Sequence, residues 1–388
     1  MEYSFIKINI ESPFPTTQCG HSCQIEKLFS YHDPLYARVF SLKDENSWII
    51  HFSFDLLAFD LEHRNELENY LRNYYGDERI IVATSATHTH YANSIRDPEY
   101  VAWLMEKLRS EVILMEYRTL EDVSVSYQHK HTTAVGKSRI SGYETGNENL
   151  SLIRFYEKGD NFFNIICYNC HPTILEANVP YFSAEYPGYV LKKLEETYPD
   201  ADFTFLQGAA GDISSRFVRD GQDYEALTKL GDRLFEEIVS LMNEKAETSK
   251  LELDYKTVPV VYEHEFTPID LSKIRSDLSE REMETIRLGQ IERAKLEKKR
   301  SGIFNVLIRD AIITALDLGI VKVIFFPNEI FSAYADFIDP DREILVSYSN
   351  GYGPYVLPID FAYITYEMFT DTLTRSSKEK IIGILKTI

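Results

Sequence analysis

Apolar runs of strand length alternate along this sequence with segments in which apolar residues return every third or fourth position. The run SWIIHFSFDLLAF at 47–59 reads as a buried strand, and RNELENYLRNYYG at 64–76 as a helix closed by Gly76. RIIVATSATHTH at 79–90 is the next strand, and Leu104, Leu108, Val112 and Met115 then mark one face of a helix. Extended segments follow: VSVSYQHKH at 123–131, NLSLIRFYE at 149–157 and NFFNIICYNCH at 161–171. Helical spacing returns in Tyr186, Tyr189, Val190, Leu194 and Tyr198. The strand DFTFLQGAAGDIS at 202–214 ends in glycine-rich turns, and Leu227, Leu230, Leu234, Ile238 and Leu241 form another amphipathic face. Residues 271–300 are highly charged, with Leu278, Ile286 and Leu296 spaced through them. They predict a solvated helix, with a partner-binding coiled coil as the alternative. Strands resume in IVKVIFFPNEIF at 320–331 and EILVSYSNGYGPYV at 343–356, and SSKEKIIGILKTI closes the chain as a short helix. The pattern predicts an α/β fold, a mixed β-sheet core flanked by helices with the functional loops at strand ends. We expect one domain over 1–388, with a charged helical insertion at about 271–300.

Composition narrows the partners. The 388 residues are 44% hydrophobic and 26% charged, as in globular proteins, and carry a net charge of −20. That sign excludes a nucleic-acid partner, repels anionic membranes and polyanions, and favours a small neutral substrate. MEYSFIKINIESPFP lacks the basic and apolar regions of a signal peptide, and no window approaches ~18 apolar residues, so no transmembrane segment is expected and the expected compartment is the cytoplasm. The oligomeric state is not legible. Of the cysteines Cys19, Cys23, Cys167 and Cys170, the last two sit in CYNCH, which matches the C-x-x-C-H pattern of haem attachment. The two pairs could also build a four-thiolate zinc site; buried or idle thiols are the preferred reading.

Four strand ends carry reactive side chains. In THTH, residues two apart on an extended chain face the same side at ~6.6–7 Å, so His88 and His90 would share a pocket. In YNCHPT, His171 ends a run that Pro172 stops. In QGAAGDISS, Asp212 projects from a glycine turn, as a functional carboxylate or an Asx-turn. In FFPNEIF, Glu329 sits among apolar residues, where a carboxylate needs a partner or a metal unless a bulge exposes it. Together they suggest a zinc site of two histidines and one carboxylate with an open position. HExxH is absent, which excludes the common zinc-protease motif.

The order of these segments resembles the neutral, non-lysosomal ceramidase family in a short bacterial form. HDPLYARVFSL, HFSFDLL, SATHTH, NCHPT, SAEYPGYV, QGAAGDIS, PNEIF and NGYGPYVLPIDFAYITYE follow the family's motifs in order from about residue 30 to 367. The resemblance implies a zinc-dependent amidase that cleaves an N-acyl bond. It implies His88, His171, Glu329 and Tyr355 as metal ligands, and His90 and Tyr366 as groups that hold substrate and the developing oxyanion. Arg139 matches a substrate-binding arginine and Asp212 a position near the site. The implied chemistry is attack by a water that zinc acidifies, with Tyr366 supporting the oxyanion and His90 serving the leaving amine. The sequence departs from the family at YANS after HTH, and at GPYVLP, where Pro354 stands beside the expected ligand. No immunoglobulin-like C-terminal domain or secretion signal is present in it. These departures point to an N-acyl compound other than ceramide. A metal-dependent ester or lactone hydrolase, and a non-catalytic interaction module with a decayed site, are the competing readings.

Overall fold

The computed structural model describes residues 1–20, 26–300 and 306–388. Three sheets carry the chain, and each joins an antiparallel meander to one parallel strand at its edge. The first has the order Ile80–Ala86, Trp48–Phe54, Tyr36–Lys43, Glu2–Asn9 and Arg118–Thr119. The second runs Asp202–Gln207, Asp160–Tyr168, Asn149–Glu157, Val123–His131 and Thr248–Lys250. The third runs Asp254–Glu265, Val306–Asp317, Lys322–Phe325 and Glu343–Val346. The parallel contacts are Trp48–Phe54 with Ile80–Ala86, Asp160–Tyr168 with Asp202–Gln207, and Lys322–Phe325 with Glu343–Val346. The first two crossovers hold the helices Leu61–Tyr75 and Glu185–Thr197. This is the expected α/β architecture of mixed sheets flanked by helices.

One apolar core joins all three sheets: Phe40 and Ile49 from the first, Phe155 and Phe163 from the second, Val323 and Phe325 from the third. Each such side chain removed from water stabilises the fold by about 1.5–3 kcal/mol. The outer faces are closed by helices whose periodic apolar positions fit them. Leu104 and Leu108 of Pro98–Val112 pack on the first sheet, and Leu227, Leu234 and Ile238 of Tyr224–Asn243 on the second. Both helices begin at an aspartate, Asp97 and Asp223, whose carboxylate accepts backbone N–H groups of the first turn.

Two differences from the sequence reading concern the site. The strand expected to run through His90 ends at Ala86, and His88 has a left-handed φ of 65°. Ala86 donates its N–H to the Tyr348 carbonyl at 3.1 Å and Asn350 to Thr84 at 2.8 Å, so the chain leaves the sheet to meet the loop after Glu343–Val346. The charged segment is the helix Glu280–Arg300, inserted between the arms of the hairpin formed by Asp254–Glu265 and Val306–Asp317. Solvent does not surround it. Ile286 is buried with Ile364 and Phe369, and Gly289 lets its backbone close on the short helix Tyr366–Thr370. Cys19, Cys167 and Cys170 are buried free thiols, and burial pushes Cys167 up to about 12; Cys23 lies outside the described residues. Among the described residues no helix is long and apolar enough to cross a membrane.

Candidate metal centre

The crossover topology sends chain segments out from the carboxyl ends of the parallel strands, the usual place for a ligand crevice in α/β sheets. Three of those ends are stitched together here. His171 follows Asp160–Tyr168 and donates its backbone N–H to the Ile213 carbonyl at 3.0 Å. Glu329 follows Lys322–Phe325, and its short strand Asn328–Ile330 pairs in parallel with Gly353–Val356, which sets Glu329 directly beside Tyr355. His88 follows Ile80–Ala86. All four side chains are buried.

The two imidazoles are held from behind. His88 Nδ1 lies 2.7 Å from the Leu57 carbonyl oxygen, and His171 Nδ1 lies 2.6 Å from that of Ala210. A carbonyl accepts only, so each Nδ1 carries the hydrogen, and each ring, when neutral, presents its Nε2 lone pair to the interior. The Glu329 Oε2 stands 3.2 Å from His171 Nε2 and 3.5 Å from His88 Nε2, while its Oε1 accepts from Tyr352 Oη at 2.7 Å. Tyr355 Oη is 3.5 Å from His171 Nε2. Burial, with Arg139 beside it, pushes His171 down to about 4. Burial alone would raise the Glu329 carboxyl; the positive charge and Nε2–H that the two imidazoles offer when protonated outweigh it and hold the carboxyl well below the usual carboxylate range. With the His171 ring neutral, its bare Nε2 lone pair faces the Glu329 carboxylate oxygen across 3.2 Å. A cation between them resolves that repulsion. Two nitrogens and two oxygens of this kind suit a zinc ion, so the residues fit the metal that the sequence suggests.

His90 stands next to this set. Its Nε2 is 3.2 Å from His88 Nε2, with the rings nearly perpendicular at 83°. His88, His90 and His171 by themselves form a group able to hold a metal ion, with ligand atoms all within 4.8 Å of one another. The pairing of His90 with His88 uses the same lone pair that a metal on His88 would take. Gly20 lies flat against the His90 ring, where a Cβ would come 2.6 Å from its Cγ.

Arg139 is central to the outer side. One Nη2 donates to the Tyr355 Oη at 3.0 Å and to the Gly211 carbonyl at 2.8 Å, and pairs with Glu367 at 2.8 Å. Burial and Glu329 raise the Tyr355 phenol well above its ordinary value. The guanidinium opposes that by favouring negative charge on the same oxygen. Asp212 accepts from the Ser332 N–H at 2.6 Å and its Oγ at 2.8 Å. Both of its oxygens are engaged by the residue three places after Glu329, which fixes the Glu329 loop. The Tyr366 ring stands edge-on to Tyr355 at 6.3 Å and lines a cavity of about 250 Å³ with Arg139 and Glu367.

Three contributors were not legible in the sequence. Tyr348 stacks on His88 at 3.8 Å between centroids, Tyr352 holds Glu329, and Glu367 holds Arg139. Tyr348 and Tyr352 fall in a segment that reads as a strand; in fact Tyr348 and Asn350 are left-handed, with φ of 52° and 54°. Glu367 had one available signal, its place next to Tyr366.

No protein-family model and no curated protein matches the chain. Among solved structures it is similar to the neutral ceramidase from Pseudomonas aeruginosa, with a TM-score of 0.74 and 14% identity over 99% of this chain and 73% of that one. It is likewise similar to a ceramidase complexed with C2, with a TM-score of 0.74 and 14% identity over 99% of this chain and 74% of that one. At this identity the likeness establishes a shared fold, which spans nearly the whole of the present chain.

Proposed function

We propose that this protein is a zinc-dependent hydrolase of an N-acyl amide bond. The observation that carries the reading is the convergence of the His88 and His171 Nε2 lone pairs on the Glu329 carboxylate, each Nδ1 being committed to a backbone carbonyl. The fold shared with two ceramidase structures supports the choice of reaction. His88, His171, Glu329 and Tyr355 would hold the ion. When bound, zinc supplies a Lewis acid that polarises an acyl carbonyl and brings the pKa of a water toward about 7.

The protein's own groups do the rest. Tyr352 and Asp212 keep Glu329 and its loop in place. Arg139 stabilises charge on the Tyr355 oxygen and anchors it to Gly211. The Tyr366 hydroxyl, at the cavity wall, donates to the acyl oxygen as negative charge grows there, a contribution of about 2.7–4 kcal/mol for one such donor. His90 passes a proton to the departing nitrogen as the C–N bond breaks, leaving a carboxylic acid and an amine. Ceramide is one compound of this class; the cavity lining argues for another. Elemental analysis of purified protein should find about one zinc per chain, and His88→Ala should lose both the metal and hydrolysis of N-acyl amides. Full metal retention in that variant would refute the assignment.

A further inference from the structure

The cavity next to the metal centre has an unusual charge for a chain of net charge −20. Four cationic side chains line it, Arg139, Arg216, Lys273 and Arg275, against the two carboxylates Glu282 and Glu367. Part of that charge is already balanced. Arg139 pairs with Glu367, and Arg275 with Asp277 at 2.6 Å. Arg216 makes no ion pair among the described residues; its Nη1 reaches the Arg139 carbonyl oxygen at 3.4 Å. Burial and the neighbouring Arg139 push its guanidinium down to about 10, with Glu367 partly opposing them, so it stays charged at neutral pH; Glu282 also feels its charge but forms no ion pair with it among the described residues. Lys273 is exposed at the cavity rim and also makes no ion pair among the described residues. The rest of the wall mixes polar side chains, Ser141, Thr285 and Thr365, with the apolar Ile140, Leu278, Ile286 and Ile364.

We propose that this cavity binds an N-acyl compound whose amine portion carries a carboxylate, and that Arg216 and Lys273 are the specificity-determining residues that receive it. The inference rests on the amide-hydrolase reading for the position of the scissile bond. Tyr366 and Arg139 belong both to the cavity wall and to the surroundings of Tyr355, so the cavity adjoins the metal centre across these two side chains, and a ligand held in it lies next to Tyr366 and Arg139. Its acidic group then meets the unpaired cations, and a carboxylate fits a guanidinium fork in two parallel hydrogen bonds. The apolar side chains of the wall accept hydrocarbon. The long-range field of the whole chain disfavours polyanions, but a single carboxylate inside the cavity is governed by charges a few ångströms away, because screening and distance remove the rest. This replaces the neutral substrate expected from net charge alone.

The test compares N-octanoylglycine with N-octanoylethanolamine, which share the chain and the amide and differ in carboxylate against hydroxyl. Binding to zinc-loaded full-length protein is measured by calorimetry, and turnover by amine release. The acidic ligand should bind about ten- to hundredfold more tightly, the span expected for one or two charge-assisted hydrogen bonds. That ratio should fall toward one in Arg216→Gln, and fall in part in Lys273→Gln, whose exposed side chain can change without affecting folding. Equal binding of the two ligands, or an unchanged ratio in both variants, overturns the proposal. A binding preference without turnover of either ligand leaves the cavity assignment standing and refutes the amidase reading instead.

Discussion

Alanine in place of glycine inside a helix ordinarily stabilises it, by about 0.5–1 kcal/mol, because glycine loses more backbone freedom on folding. Two helical glycines of this chain should respond in opposite directions. At Gly383, in the helix Arg375–Leu385, an added Cβ meets nothing within 4 Å, so Gly383→Ala should gain the full amount. At Gly289 the same Cβ would sit 2.8 Å from Phe369 Cδ2, 3.1 Å from the Tyr366 Cα and 3.2 Å from the Phe369 Cβ. Two of those three atoms belong to rigid parts of the neighbouring helix and cannot rotate away. Overpacking of this kind costs about 1–3 kcal/mol, which outweighs the gain from propensity. The propensity gain is common to both, so the two variants should differ by the overpacking cost of about 1–3 kcal/mol, Gly289→Ala being the less stable. Urea unfolding gives the comparison, read as a shift of midpoint at constant slope. Because the strained contact is with Tyr366, Gly289→Ala should also lower turnover, while Gly383→Ala leaves it alone. If Gly289→Ala proved as stabilising as Gly383→Ala, the inserted helix would not be seated on Tyr366–Thr370, and its role as a cavity wall would fall with it.

Glu329→Gln should reduce zinc affinity by about a hundredfold, since it removes the anionic ligand; competition with a chelating dye reads the effect, and unchanged affinity would remove Glu329 from the ligand set. Gly20→Ala should push the His90 ring aside and suppress amide hydrolysis while elemental analysis still finds zinc; loss of the metal would instead make His90 a ligand. Asp212 is raised to about 6 by burial, above the ~3.9 of an unfolded chain, so its contribution to stability is present below pH ~4 and is lost as the pH rises through 6. Asp212→Asn should flatten that part of the stability profile, a difference on the order of 2–3 kcal/mol between pH 4 and 7. An unchanged profile would show that the Ser332 hydrogen bonds already offset the cost of burial.

The strands that end in THTH, NCHPT and PNEIF were legible because they are buried on both faces and so read as unbroken apolar runs. Asp254–Glu265 was not. Its outer face is exposed and polar, and DYKTVPVVYEHE holds a proline, so nothing marks it as the arm of a long hairpin. Its partner Val306–Asp317 went unrecognised too, which hid the fact that the charged helix is an insertion between two paired strands. The site divides in the same way. His88, His171 and Glu329 stand out as polar residues at the ends of apolar runs. Tyr348 and Tyr352 do not: Asn350-Gly351 between them signals a turn, but the left-handed φ of Tyr348 itself, which brings its ring onto His88, is one that tyrosine rarely adopts. The THTH spacing suggested a shared pocket through extended geometry. The rings of His88 and His90 do meet, but by way of a backbone that has already left the strand.

The hairpin of Asp254–Glu265 and Val306–Asp317 separates two rates of change. Glu329 and Tyr355 are neighbours in a short parallel ladder, so deleting one residue from either strand would turn one of these two side chains to the opposite face. The insertion between the hairpin arms takes no part in that ladder: exchanging residues 266–300 would leave the register of Glu329 and Tyr355 in place while rebuilding the cavity wall and the packing on Tyr366–Thr370. A chimaera grafting a foreign segment there should keep the pairing of Glu329 with Tyr355 and change which ligands the cavity accepts, which makes this insertion the natural handle for redesign.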